Sequence, residues 1–301
     1  MPRPVDSQVE RPQTTEWLDQ PERSNTALLR FMAWAVMTLG RPATRLLLYP
    51  ICLYFLVFST RARSASRDFL SRALGRPAGL ADSFRHYHAF ASTILDRALL
   101  LNDRFTPFDV RVHGAELIDE LVARGEGCVL LGAHLGSFEI VRSVGRFRGL
   151  KVCMAMFEDN ASKVRTVVEA LNPGLRLDIV ALGRVDSVLR IEAALARGEI
   201  VGMLADRTLP GGATVSCDFL GGKAAFPTGP IRIAAMLKRP VALMFGLYRG
   251  GNRYEVHFER FADAGHGDRR GEDLARRYAA RLEHYCRRAP YNWFNFYDFW
   301  R

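Results

Sequence analysis

The sequence predicts an α/β protein with a mixed, mostly parallel sheet flanked by helices, preceded by an apolar helical segment. Two observations predict the sheet: short apolar runs alternate with amphipathic stretches after residue 107, and polar residues recur where the apolar runs stop. A third observation, two apolar blocks near the N-terminus, predicts the helical segment. The 301 residues suffice for one large domain with an extension.

The N-terminal region divides into two parts of opposite character. Residues 1–25 are polar and predict a loosely docked tail, whereas residues 26–60 contain the apolar blocks Ala27–Leu39 and Leu46–Phe58. At about 1.5 Å per residue each block covers roughly 20 Å, less than the ~30 Å hydrocarbon core of a bilayer. Aromatic and arginine residues in and around the blocks favour a membrane-associated element, and a pair of buried helices is the alternative. We expect the main domain to comprise residues 61–301.

The elements of the main domain follow in order. An amphipathic helix is predicted over Ser83–Leu101. Further helices are predicted over residues 115–125, 138–146, 161–171 and 185–198, alternating with strands over residues 128–133, 150–156, 175–182 and 199–205. Strands over residues 241–248 and 253–261, joined by Arg-Gly-Gly-Asn, predict a hairpin that makes the sheet mixed at one side. A helix over residues 271–289 closes the domain.

Charge and cysteine usage narrow the classes of function. The formal net charge is +10 and almost all of the positive charge is arginine, which leaves anionic lipid, nucleic acid and phosphorylated substrates open. Because the sequence has no zinc-ligand spacing, no glycine-rich phosphate loop and no basic-aromatic recognition strand, we expect no nucleic-acid partner. The five scattered cysteines predict neither disulfides nor a metal site, and they favour a reducing compartment.

The stretch "VLLGAHLGSFE" carries the first candidate site. His134 is predicted in the turn after a strand and Glu139 in the first turn of the next helix, because on one helix they would lie about 140° apart. A neutral imidazole oriented by a carboxylate can take a proton from a hydroxyl group. Backbone amides near Gly136 and Ser137 could receive negative charge developing on a carbonyl oxygen. The alternative is a chance pair in which Glu139 only favours the helix N-terminus.

A second stretch, "MLADRTLPGG", places Asp206 and Arg207 after another predicted strand. Arginine binds phosphate or carboxylate groups in a bidentate manner, so Arg207 is a candidate substrate-binding residue. The alternative is a structural ion pair at a surface turn.

The third stretch, "LGGKAAFPTGPIRIAAML", leads from a Gly-Gly turn into a helix. Thr228 is placed to cap that helix, and its first amides near Gly229, together with Lys223 and Arg232, could hold an anion. A capped helix without a ligand is the alternative.

Together the three stretches resemble the glycerolipid and lipid A acyltransferase superfamily, whose signature is a histidine followed after four residues by an acidic residue, as in "HLGSFE". With "ADRTLPGG", "FLGGKAAFPTGPIRIA" and the apolar N-terminal segment, the chain from about residue 27 is similar to the bacterial late lipid A acyltransferase family. The resemblance implies a glycerolipid-acyltransferase-like fold behind a membrane anchor. It also implies transfer of a fatty acyl chain from acyl carrier protein, sometimes coenzyme A, to a lipid hydroxyl at the cytoplasmic face of the bacterial inner membrane.

The same resemblance implies individual roles. His134 takes the role of general base, Glu139 that of its orienting partner, and Asp206 with Arg207 a role in activity or substrate binding. No cofactor or metal is expected, and the partners expected are acyl carrier protein, a membrane lipid acceptor and an anionic membrane surface. In "FPTG", Thr228 replaces the acidic residue of the glycerolipid branch's phosphate-binding block, which disfavours a glycerol 3-phosphate or lysophosphatidate acceptor.

The C-terminal stretch "PYNWFNFYDFW" carries seven aromatic residues. It departs from the basic-aromatic ending of enzymes that act on lipid A itself, and is closer to relatives that accompany aryl-polyene or other lipid pathways. We expect these rings to form a membrane-interface belt, to line an acyl groove, or to dock the tail on the core.

Two other classes of function stay open. A lipid hydrolase or thioesterase could use Ser137 as nucleophile, although the sequence lacks the G-x-S-x-G elbow, and a triad normally gathers residues that are distant in sequence. A non-enzymatic protein that binds the membrane surface would also explain the basic composition.

Overall fold

The computed structural model describes residues 26–184, 186–208, 211–263 and 271–300, so the predicted tail over residues 1–25 lies outside the described residues. The helices are α1 (Thr26–Thr38), α2 (Arg41–Leu46), α3 (Leu48–Phe58), α4 (Thr60–Leu74), α5 (Leu80–Leu101), α6 (Ala115–Ala123), α7 (Phe138–Phe147), α8 (Glu158–Leu171), α9 (Ser187–Ala196), α10 (Gly229–Met236) and α11 (Glu272–Arg288). The strands are β1 (Asp109–His113), β2 (Cys128–Gly132), β3 (Val152–Phe157), β4 (Ile179–Leu182), β5 (Ile200–Leu204), β6 (Thr214–Phe219), β7 (Gly222–Pro227), β8 (Val241–Tyr248) and β9 (Arg253–Ala262).

The main sheet confirms the predicted fold class. Its seven strands lie in the order β1-β9-β8-β2-β5-β3-β4, and the pairs from β8 to β4 are all parallel. The central strand β2 is buried along its whole length, as expected for a strand covered by helices on both faces. Neighbouring β5 is parallel to it, so the two strands end at the same edge of the sheet.

The predicted hairpin is also confirmed, because β9 runs antiparallel to β8. Beside it lies β1, which pairs with β9 in parallel and was not predicted. Its residues are only exposed or half-buried, so it lacks the apolar run that marks the inner strands. The Gly-Gly turn near Lys223 joins β6 and β7, a separate antiparallel pair that the sequence analysis did not predict.

The N-terminal apolar blocks form helices, as predicted. Helix α1 packs against α5 and α8, and α3 packs against α5. Their outward faces remain exposed, however, and the large exposed apolar residues there are Phe31, Trp34, Leu39, Leu46, Leu47, Tyr49, Leu53, Tyr54, Val57 and Phe58. By length and composition, Arg41–Phe58 could cross a membrane, and 28% of it is buried in the protein. The segment thus contributes to the core on one side and presents apolar surface on the other, and the division at residue 60 stays a prediction.

A buried ion pair joins the N-terminal helices to the sheet. The Arg41 guanidinium contacts both carboxylate oxygens of Asp96 on α5 at 2.7 and 2.8 Å. The same carboxylate accepts a hydrogen bond of 2.7 Å from the Tyr254 hydroxyl on β9, and Arg41 donates to the Gly251 carbonyl. Because both charged groups are almost fully buried, each requires the other for compensation.

We expect Asp96→Ala to destabilise the protein by about 3–5 kcal/mol, since it leaves the Arg41 charge buried without its partner. The measurement is urea unfolding at neutral pH. As a control, Asp68→Ala removes the exposed partner of Arg72 and should cost less than about 1 kcal/mol. Equal losses in the two variants would contradict a structural role for the buried pair.

Candidate active site

His134 and Asp206 meet at the carboxyl edge of the sheet. The register pairs Gly132, the last residue of β2, with Leu204, the last residue of β5. His134 and Asp206 each lie two residues beyond these positions. The parallel pairing therefore brings the first and second predicted stretches together, at the edge where ligands bind in α/β sheets.

The Asp206 carboxylate is held by three N–H donors. The backbone amide of His134 and the indole Nε1 of Trp293 donate to Oδ2 at 3.0 and 2.9 Å, and His134 Nδ1 lies 2.9 Å from Oδ1. An ionised carboxylate only accepts hydrogen bonds, so Nδ1 carries the proton. His134 Nε2 is therefore the ring nitrogen that can accept a proton. The His134 side chain is 34% exposed and Asp206 is 1% exposed.

The pKa values of both groups fit this arrangement. Burial opposes ionisation of Asp206, but the charge and hydrogen bond of His134, with Arg207 and the Trp293 indole, lower its pKa to about 2. Burial, reinforced by the positive charges of Arg207 and Arg97, lowers the pKa of His134 against the opposing effect of Asp206. At neutral pH the pair is a carboxylate and a neutral imidazole.

Two glycines set the position of the loop that carries His134. Gly136 has a φ of +74°, and a Cβ added there would lie 1.9 Å from the Gly246 carbonyl oxygen on β8. A Cβ added at Gly246 would lie 2.3 Å from the Ser137 carbonyl oxygen. The loop therefore packs directly on the backbone of β8, which only glycine allows at these positions.

Glu139 does not contact His134 among the described hydrogen bonds and ion pairs, which corrects the predicted orientation of the histidine. It lies in the first turn of α7, as expected, but its carboxylate binds Arg97 on α5 at 2.6 Å. The Ser137 hydroxyl donates to the same carboxylate at 3.3 Å. Asp206, which is distant in sequence, occupies the position that the sequence analysis gave to Glu139.

The amides proposed to receive negative charge are already used. Gly136 N donates to the Asn292 carbonyl at 2.8 Å, and Ser137 N donates to the Gly246 carbonyl at 2.7 Å. The Ser137 side chain accepts a hydrogen bond from Ile140 N, so it caps α7. The expectation that Gly136 and Ser137 stabilise an oxyanion is therefore wrong in this geometry.

Arg207 follows Asp206 and lies beside the C-terminal segment. Its guanidinium donates to the Phe294 carbonyl at 3.2 Å and stacks on the Tyr297 ring at 5.6 Å. The alternative of a surface Asp-Arg pair is wrong, because Asp206 is buried and bound to His134.

The residues of the third stretch are not brought to His134 by any described contact. Lys223 forms an exposed ion pair of 2.7 Å with Asp218 across the β6–β7 hairpin. Thr228 precedes α10, but its hydroxyl donates to the Ala213 carbonyl and does not cap the helix. Gly229 is the first residue of α10, and Arg232 is exposed on that helix. The predicted anion site at this helix has no support from these contacts.

The C-terminal aromatic segment docks on the core, in agreement with the last of the three alternatives. Trp293, Phe294 and Phe299 are buried, and Trp300 donates its indole N–H to the Phe219 carbonyl. None of the seven aromatic side chains is largely exposed, so the interpretation as a membrane-interface belt is wrong. The segment reaches the site directly, because Phe294 N donates to the His134 carbonyl at 2.8 Å.

One cluster of metal-binding side-chain types lies elsewhere in the described chain. Ligand atoms of His113, Glu255 and His257 lie within 4.8 Å of one another on β1 and β9. The Glu255 carboxylate is already paired with Arg249 and Arg288. Burial, with the neighbouring His113, lowers the pKa of His257. All five cysteines are free and buried, as expected from their spacing.

The fold and the paired His134 and Asp206 define an α/β protein with a histidine at the carboxyl edge of a mostly parallel sheet. The family model described as bacterial lipid A biosynthesis acyltransferase matches residues 12–301, and the chain belongs to that family. The predicted family is thereby confirmed, and it implies an acyl donor and a lipid acceptor. A comparison with individually curated proteins finds no significant match.

We expect Trp293→Phe to destabilise the protein by about 1.5–3 kcal/mol, because it removes a hydrogen bond to the buried Asp206 carboxylate. The matched control is Trp300→Phe, which removes an indole hydrogen bond to a neutral carbonyl and should cost about 0.5–1.5 kcal/mol. Thermal unfolding followed by circular dichroism measures both. A smaller loss for Trp293→Phe than for the control would contradict the charged acceptor.

Proposed function

We propose that the protein transfers a fatty acyl chain from a thioester of acyl carrier protein or coenzyme A to a hydroxyl group of a membrane lipid acceptor, with His134 as general base. One observation carries the proposal: Asp206 fixes the proton on Nδ1 of a partly exposed imidazole, which leaves Nε2 to accept the proton of a hydroxyl. The lowered pKa of His134 keeps that nitrogen unprotonated at neutral pH.

The transfer proceeds in one direct displacement. His134 Nε2 takes the proton as the acceptor oxygen attacks the thioester carbonyl, so that a C–O bond forms and the C–S bond then breaks. The imidazolium returns its proton to the departing thiolate, which restores the neutral histidine. Asp206 is a positioning residue, because it holds the tautomer and compensates the transient positive charge.

Arginine side chains are the candidates for stabilising the oxyanion, since the Gly136 and Ser137 amides are engaged. Arg207 and Arg97 both lower the pKa of His134, so their positive charge acts at the imidazole, beside which the oxyanion would form. Glu139 fixes Arg97 through the contact of 2.6 Å. In this proposal the acidic residue of the signature acts on the arginine and not on the histidine.

In this proposal, the lipid acceptor reaches His134 from the membrane. The exposed apolar faces of α1 and α3 supply surface for a lipid bilayer, and the positive net charge favours anionic lipid and an acidic carrier protein. We place the protein at the cytoplasmic face of the bacterial inner membrane. As part of the same proposal, we assign the protein to the subgroup of relatives that accompany aryl-polyene or other lipid pathways.

The hydrolase alternative has less support. Ser137 is 2% exposed, and its hydroxyl donates to Glu139 and accepts from Ile140 N. None of its described hydrogen bonds involves His134, which a serine nucleophile requires as its base.

We expect His134→Ala to reduce acyl transfer by about 10²–10⁴-fold, because the general base is lost. The assay follows thiol release from acyl carrier protein and coenzyme A thioesters in parallel, and the acylated lipid by mass spectrometry. His284→Ala, at an exposed histidine on α11, is the matched control and should retain activity.

The substitution Ser137→Ala distinguishes direct acyl transfer from a hydrolase that uses Ser137 as nucleophile. Direct transfer predicts that Ser137→Ala keeps most of its activity and that no acyl group is trapped on the protein. An acyl-serine intermediate, or loss of activity in Ser137→Ala with the fold intact, would support the hydrolase instead.

The acid limb of the pH–rate profile should lie below the ordinary histidine pKa of 6.5, because activity requires neutral His134 and its pKa is lowered. Arg207→Gln removes a positive charge that lowers this pKa, so the limb should move to higher pH. Asp206→Asn removes a negative charge that raises it, so the limb should move to lower pH, with a reduced plateau. Profiles of kcat/KM measure both shifts, and limbs that move together in one direction would contradict the electrostatic assignment.

A further inference from the structure

A second site lies away from His134, where β8 ends and β9 begins. An open cavity of about 730 Å³ is bordered there by the β8–β9 turn, strand β1, helices α2, α3 and α5, and residues 288–292. We call it the arginine cavity, because six arginines line it: Arg45, Arg85, Arg111, Arg249, Arg253 and Arg288. His134 is not among the lining residues.

The carboxylates that line the arginine cavity compensate only part of its positive charge. Only two carboxylates, Asp109 and Glu255, line it, and Glu255 is already shared by Arg249 at 3.4 Å and Arg288 at 3.2 Å. The six arginines therefore exceed the carboxylates by four charges.

Four of these arginines form no ion pair with a carboxylate within the described ranges, and they are Arg45, Arg85, Arg111 and Arg253. Arg45 donates to the Tyr248 hydroxyl and to the Gly251 carbonyl, and Arg253 donates to the Arg249 carbonyl. Positive groups gathered in one concave space repel one another, and an anion with several oxygens relieves that repulsion. Phosphate matches the guanidinium group best, because it accepts bidentate hydrogen bonds.

The state of a histidine in the wall of the arginine cavity is consistent with this excess of positive charge. His88 Nε2 is buried and has no hydrogen-bond partner among the described residues. Burial and the nearby Arg45 lower the pKa of His88. The polar atoms of the wall are thus donors or neutral groups, apart from the two carboxylates.

The surroundings of the arginine cavity indicate the source of the anion. Tyr49 lines the cavity and belongs to α3, and its side chain is half exposed. The same helix exposes Leu53, Tyr54 and Phe58. Apolar surface beside a cationic pocket is the arrangement that holds a lipid with its headgroup bound and its chains in the bilayer.

We infer that the arginine cavity binds the phosphate headgroup of a membrane lipid. This goes beyond the proposed acyl transfer, because the headgroup is held at residues that take no part in the reaction at His134. The cavity gives the protein a lipid-selective contact in addition to its general attraction to a membrane.

The test compares two double variants that remove the same charge. Arg111→Gln with Arg253→Gln alters exposed arginines of the cavity, and Arg124→Gln with Arg190→Gln alters exposed arginines outside it. Binding is measured by flotation, at low ionic strength, with phosphatidylcholine vesicles that contain either phosphatidic acid or, at equal surface charge, oleate. Unchanged thermal unfolding confirms that both variants are folded.

We expect the cavity variant to bind phosphatidic acid vesicles at least about thirty-fold more weakly, because two guanidinium groups lose their charge-assisted hydrogen bonds to the phosphate. The control should change by no more than about two-fold, and oleate vesicles should not distinguish the variants. Equal losses in both variants would overturn the inference, since they would reflect net charge alone. His134→Ala should bind vesicles like the parent, so a failure of the proposed reaction and a failure of this site are distinguishable.

Two further binding experiments identify what the arginine cavity binds. Calorimetry with inorganic phosphate alone reports a free anion: binding that the cavity variant loses, with no defect on vesicles, would overturn the lipid assignment. Binding of acyl carrier protein is measured in the same way. A loss confined to that protein would show that the cavity takes an acidic protein surface and would refute a lipid headgroup.

Discussion

The buried carboxylate of Asp206 is the constraint on which the candidate site depends. A charge with 1% exposure is stable only if it is fully hydrogen-bonded, and its three N–H donors come from His134 and Trp293. His134 lies just after β2, Asp206 lies just after β5, and Trp293 lies in the C-terminal segment. Satisfying one carboxylate therefore fixes three distant parts of the chain and, with them, the direction in which the His134 ring points.

The loop between β2 and α7 shows how backbone packing and side-chain chemistry depend on each other. Gly136 and Gly246 allow the loop to lie against β8, and the Ser137 amide then bonds to the Gly246 carbonyl. This contact leaves the Ser137 amide unable to donate to a ligand, and it anchors the loop that carries His134 on β8. In the proposed reaction, the positive charge that stabilises the oxyanion then comes from side chains, and Arg207 and Arg97 are the arginines that lower the pKa of His134.

The sequence predicted those parts of the fold and site that local pattern determines. The apolar run of β2 and the polar residues after it placed His134 at a sheet edge, and the same reasoning placed Asp206 at another strand end. Their contact depends on which strands are neighbours, and strand order is not contained in local hydropathy. Glu139 is the acidic residue nearest to His134 in sequence, but after the turn at Gly136 its carboxylate pairs with Arg97 instead. Strands β1 and β6 alternate polar and apolar residues, as half-buried strands do, so a search for continuous apolar runs does not find them.

The C-terminal segment links the arginine cavity to the candidate site at His134. Asn292 lies in the wall of the arginine cavity, and its side chain exchanges two hydrogen bonds with the Tyr248 backbone. Its carbonyl accepts from Gly136 N, while the next residue, Trp293, binds Asp206. Consecutive residues of one segment therefore contact the arginine cavity and the carboxylate that holds His134. Because these hydrogen bonds are buried and close together, the segment holds the arginine cavity and the candidate site in a fixed relation to each other.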